Sequence, residues 1–143
     1  MARNPYPVQW PLGKRTEVRR APITTGQTYK AGELVVLTSN ELVVCAADPT
    51  LVSGIACDAA ADTLETGYGN YYVAEAKTVW AIEGSTDPVF DTHMGVSYGV
   101  TVSSNVWTLD ITEVTTLVFT VVGTIENTTP KLFLVQFHAD ALS

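Results

Sequence analysis

Glu33-Leu34-Val35-Val36-Leu37-Thr38, then Ser39-Asn40, then Glu41-Leu42-Val43-Val44-Cys45-Ala46 carries the clearest conformational signal in the chain. Two apolar runs of equal length are parted by two residues, and asparagine tolerates the positive φ that a tight hairpin turn demands. Valine is stiff at χ1 and suits a pleated surface better than a helix. The segment predicts two antiparallel strands.

Working downstream, the same grammar repeats. Residues 51–57 read as a short strand with Gly54 as a bulge or point of close approach. Residues 71–75 and 78–82 read as a second pair of strands. Residues 98–102 and 106–110 read as a third pair, turning at Ser104-Asn105. Residues 117–125 and 132–137 read as a fourth, separated by Glu126-Asn127-Thr128-Thr129-Pro130. Residues 58–62 allow one helical turn at most, and no amphipathic helical period of ten or more residues is found. Short strands with regular turns predict an all-β fold, a small antiparallel barrel or sandwich.

Upstream the grammar changes. Pro5, Pro7, Pro11 and Pro22 exclude a long helix and a central strand over residues 1–22. This stretch is expected to be an extended arm, followed by a single β domain over residues 23–143. Tyr6, Val8, Trp10 and Leu12 fall at every second position, so an extended chain aligns them on one side, fit to lie on a surface, its own or a partner's. Charge divides along the same boundary. Arg3, Lys14, Arg15, Arg19, Arg20 and Lys30 against Glu17 alone give residues 1–30 a net charge of +5. Residues 31–143 carry Lys77 and Lys131 against fourteen acids, a net charge of −12. An arm and a body of opposite sign suit different partners.

Length and composition bound the rest. The 143 residues are 46% hydrophobic and 16% charged, which describes one globular domain. No apolar run approaches the roughly 18–20 residues of a membrane helix, and residues 1–5 show no secretory h-region. The expectation is a protein made in the cytoplasm that does not enter membranes. Cys45 and Cys57 then read as buried apolar residues, with a disulfide or a metal pair as the alternatives.

Several constellations invite a chemical reading. Gly95-Val96-Ser97-Tyr98-Gly99, with Asp110 and His138 following, has the residue order of a hydrolase triad. That elbow requires a helix after the serine, whereas Val100-Thr101-Val102 is strand-forming, and the 44 residues after Gly99 are too few for such a fold. His93 and His138 lack partners at zinc-site spacing, and Asp87 and Asp91 lack a calcium ladder. Gly67-Tyr68-Gly69 lacks the lysine and helix of a phosphate loop. No catalytic residue, metal ligand or cofactor site is expected. The basic pairs Lys14-Arg15 and Arg19-Arg20 are not interleaved with Tyr6 and Trp10, and the acidic body repels phosphates, so nucleic acid is not the expected partner.

Gly26-Gln27-Thr28-Tyr29-Lys30-Ala31-Gly32-Glu33-Leu34-Val35 resembles a recurring opening in small tailed-bacteriophage capsid decoration (cement) proteins. The likeness continues through Ala46-Ala47-Asp48-Pro49-Thr50, Gly54-Ile55-Ala56, Tyr98-Gly99-Val100 and Trp107-Thr108-Leu109-Asp110 to residues 132–137. It spans residues 21–140, loosely between 58 and 95, and leaves residues 1–20 uncovered. The resemblance implies a non-enzymatic virion protein on the outer surface of the head. Such proteins form trimers at local three-fold positions and stabilise contacts between major capsid subunits. The arm's role rests instead on its apolar stripe and its charges, by which it is expected to bind the partner through Tyr6, Trp10, Lys14, Arg15, Arg19 and Arg20, and a body without residues 1–20 is expected still to fold. The alternative is a carbohydrate-binding or adhesion-type β module of a head fibre or tail, using Tyr71, Tyr72 or Trp80 if they are exposed rather than turned into the core.

Overall fold

The computed structural model describes residues 3–8, 17–60 and 67–142. The hairpin that opens the β domain is formed by β3 (Leu34–Thr38) and β4 (Glu41–Val44), with Thr38 opposite Glu41 and Val36 opposite Val43. Ser39 and Asn40 have φ of 51° and 65°, the left-handed pair of a primed turn whose twist matches the strands it joins. The device recurs between β8 (Ser97–Ser103) and β9 (Val106–Asp110), where Ser104 and Asn105 have φ of 50° and 64°.

Eleven strands among the described residues form two antiparallel sheets, so the fold is all-β. The six-stranded sheet runs β1 (Tyr6–Pro7), β7 (Trp80–Ile82), β11 (Leu132–Phe137), β10 (Phe119–Ile125), β8, β9. The five-stranded sheet runs β2 (Val18–Pro22), β6 (Tyr68–Val73), β5 (Gly54–Ala56), β3, β4. Both curl. Ile23 bridges Leu42, joining the two edges of the five-stranded sheet, and Gly84 bridges Leu109, bringing β9 back beside the end of β7.

Period-two alternation sorts the side chains into cores. Trp80, Trp107, Phe119 and Phe133 fill a central core with Leu34 and Ile55 from the five-stranded sheet. The intervening residues of that sheet, Val35, Ala56 and Tyr71 with Leu42, pack on its other face around Tyr29. Tyr72 and Trp80 meet edge to face in the central core at 5.8 Å.

Three expectations change. Residues 71–75 and 78–82 do not pair: β6 lies between β2 and β5, whereas β7 lies between β1 and β11. The connection carries the chain from one sheet to the other instead of reversing it. Val18–Pro22, assigned by sequence to the arm, is an edge strand with Arg19 opposite Tyr71 and Arg20 opposite Asn70. Its terminal proline is tolerated because an edge strand has one unpaired side. A body lacking residues 1–20 would lose β1 and most of β2, so it is no longer expected to fold independently. A four-residue helix, α1 (Phe90–His93), precedes β8. Part of the helical turn expected over residues 58–62 lies outside the described residues.

Candidate partner-binding site

The described part of the arm is held against the body. Tyr6 pairs with Ala81 and Pro7 with Trp80, and the Val8 N–H donates to the Val79 carbonyl at 2.8 Å. Tyr6 and Val8 pack beside Val79, Ala81 and Leu134, so the surface under this end of the apolar stripe is the chain's own. The Arg3 guanidinium lies 3.7 Å from the centre of the Tyr6 ring, while its backbone N–H donates to the Glu83 carboxylate at 2.6 Å.

Asn4 fastens the segment. Its Oδ1 accepts from the Trp107 N–H at 2.7 Å, and its Nδ2 donates to the carbonyls of Asn105 at 3.0 Å and Ala31 at 3.3 Å. Just behind it, Glu33 is 1% exposed. Its carboxylate accepts from Trp107 Nε1 at 3.1 Å, Asn105 Nδ2 at 3.2 Å and the Lys30 N–H at 2.9 Å. One buried acid thus ties the entry of β3 to the β8–β9 hairpin, and Asn4 clasps the arm onto that knot.

Gly32 makes room for the clasp. Its φ is +89°, a region costly for residues with a Cβ, and a Cβ there would collide with the Asn4 side chain. Gly32→Val is therefore expected to cost about 1–3 kcal/mol in urea denaturation and to expose residues 3–8 to limited proteolysis. An unchanged midpoint with an uncut N-terminus would show the position to be ordinary.

The other predicted contact residues are dispersed. Trp10, Lys14 and Arg15 lie outside the described residues. Arg19 and Arg20 sit on the edge of the other sheet from Tyr6. Arg19 Nε pairs with Glu17 at 3.0 Å, a hydrogen bond that raises its pKa further, and both side chains are largely exposed. The Arg20 guanidinium lies 4.7 Å from the centre of the Tyr68 ring.

The residues considered for chemistry have structural partners. Ser97 opens β8 and its hydroxyl is 2.7 Å from that of Thr120. His138 Nδ1 accepts from the Asp140 N–H at 3.1 Å, capping the 3-10 turn Ala139–Ala141, and Asp110 pairs with Gly99. His93 is buried, its Nδ1 accepting from the Val89 N–H at 2.9 Å. Cys45 is buried, Cys57 is half-buried, and both thiols are free. Burial, reinforced by the Glu33 charge, pushes the Cys45 thiol up to about 12. Burial and Asp58 push Cys57 up to about 11, so reactive thiolate is scarce at either position. Among the described residues, no group of three His, Cys, Asp or Glu could hold a metal ion, and no helix is long and apolar enough to cross a membrane.

Sequence reasoning missed Asn4, Glu33 and Trp107. Comparison with protein-family models, curated proteins and solved structures gives no match.

Proposed function

We propose that the chain is a virion structural protein of the capsid-decoration type, bound to the outside of a phage head and stabilising contacts between major capsid subunits. The observation that carries the reading is the division of charge between a basic N-terminal segment and an acidic β body. The likeness of residues 26–35 to the opening of such proteins supplies the class of partner. The N-terminal segment already adopts strand geometry against a sheet edge at β1, the mode by which extended segments recognise protein surfaces. Trimers at three-fold positions and residence on the shell belong to the same proposal. For the adhesion alternative, Tyr71 and Trp80 are buried and offer no platform for a sugar ring, while Tyr72 is half-buried with its ring packed edge to face on Trp80.

In this mechanism Tyr6 anchors the arm to its own body, and Trp10, Lys14 and Arg15 address the shell. Aromatic anchors carry most of the energy at such interfaces, while exposed charges set encounter rate and salt dependence. Binding to capsids lacking this protein provides the test, with point variants, because truncation would remove strands. Trp10→Ala is expected to weaken binding about tenfold. Neutralising Lys14 and Arg15 is expected chiefly to flatten the salt dependence. Unaltered binding in both variants would remove the arm from the interface, and failure of the intact chain to decorate any such capsid would remove the function.

A further inference from the structure

The outer face of the six-stranded sheet differs from the rest of the acidic surface. Alternation turns Phe133, Val135 and Phe137 into the central core and leaves Leu132, Leu134 and Gln136 on the opposite side. Asp110 is the only Asp, Glu, Lys or Arg in the six strands of that sheet. A groove of about 460 Å³ lies on this face, lined by Val79, Val122, Leu134 and Gln136 and bordered by Phe90 of α1. Phe90 is 49% exposed although it is a large apolar side chain, and its neighbours Val89 and Met94 are exposed as well.

We propose that this face pairs two copies of the chain about a two-fold axis, with Phe90 of each copy seated in the groove of the other. Two considerations choose a second copy as the occupant. Each chain has a net charge of −7, so most approaches of two copies bring like charges together. The sheet face, almost free of charge, lets two copies touch with little of that repulsion, the exposed Asp91 beside Phe90 being the acid that α1 brings to its border. A two-fold contact also requires one patch to be complementary to itself, and here a half-exposed aromatic ring borders an apolar hollow on the same surface. The inference does not rest on the capsid reading, since the pairing needs no shell.

Sedimentation velocity of the full chain over a dilution series, at low and high salt, tests it. The expected result is a reversible dimer that tightens as salt rises, because screening weakens the repulsion between two acidic bodies and leaves apolar burial intact. Phe90→Lys is expected to weaken the dimer at least about tenfold, Gln136→Lys to do so from the groove side, and Phe90→Leu to retain it. Both lysine positions are outside the central core, and unchanged melting curves would confirm that the variants fold. A monomer at every concentration overturns the pairing and leaves the face to another apolar partner. A trimer in place of a dimer, or a dimer indifferent to both lysine variants, overturns it too. So does a dimer loosened by salt, which would point to the basic arm of one copy on the acidic body of another.

Discussion

Glu33→Ala is expected to lower stability by about 3 kcal/mol, with Trp107 as the main reason. Trp107 is fully buried and its indole N–H donates to Glu33 Oε1, 74 positions away in the chain. Removing the acceptor strands a buried donor that water cannot reach, and an unpaired buried polar group costs about 1–3 kcal/mol. The lost methylenes of a side chain 1% exposed, and the weaker hold on Asn105 and the Lys30 N–H, supply the rest. Urea denaturation should show a lower midpoint, and heating should show a melting temperature lower by about 10 °C. Glu33→Gln should fall between, because one amide oxygen can still serve Trp107 while the amide N–H₂ faces the other donors. Pairing Glu33→Leu with Trp107→Phe removes donor and acceptor together and should recover part of the loss, a coupling that a double-mutant cycle measures. A Glu33→Ala midpoint equal to that of the parent would mean that the knot contributes nothing.

What was legible in the sequence, and what was not, follows how local each determinant is. The hairpins at Ser39-Asn40 and Ser104-Asn105 were readable because turn and flanking strands lie within a dozen residues. The separation of β6 from β7 was not, since strand-like residues close in sequence also describe a crossing between sheets. Strand β2 escaped because only Ala21 of its five residues is buried, so no alternation marks it, while its two arginines resemble a solvated tail. The clasp was invisible in principle. Asn4 and Trp107 are 103 positions apart, and neither residue type announces such a contact. At the candidate site, the apolar alternation of Tyr6 and Val8 correctly implied a surface beneath, but could not say whose. The groove could have been suspected from residues 97–103, 119–125 and 132–137, where not one charged side chain interrupts the strands.

Gly54→Ala is expected to be at least as damaging as the loss of Glu33, for a reason of space and not of polarity. Gly54 opens β5, a three-residue strand buried throughout, and pairs with Val35 on one side and Val73 on the other. A Cβ at this position would overlap the backbone carbonyl oxygen of Tyr72 and press on the Tyr71 ring. A flexible side chain could swing aside, but a carbonyl fixed in a sheet cannot move without pulling β6 away from β5. Tyr71 and Tyr72 belong to two different cores, so the displacement would disturb packing on both faces of the sheet. Overpacking of this kind costs about 3 kcal/mol where the neighbours are rigid. The matched control is Gly123 on β10, where an added Cβ would meet only the Leu134 side chain at 3.3 Å. That methyl group can shift by a few tenths of an ångström, so Gly123→Ala should stay within about 1 kcal/mol of the parent. Urea midpoints of the two variants measured side by side decide the matter. Equal losses at the two glycines would show that β5 and β6 do not approach as closely as the structure places them.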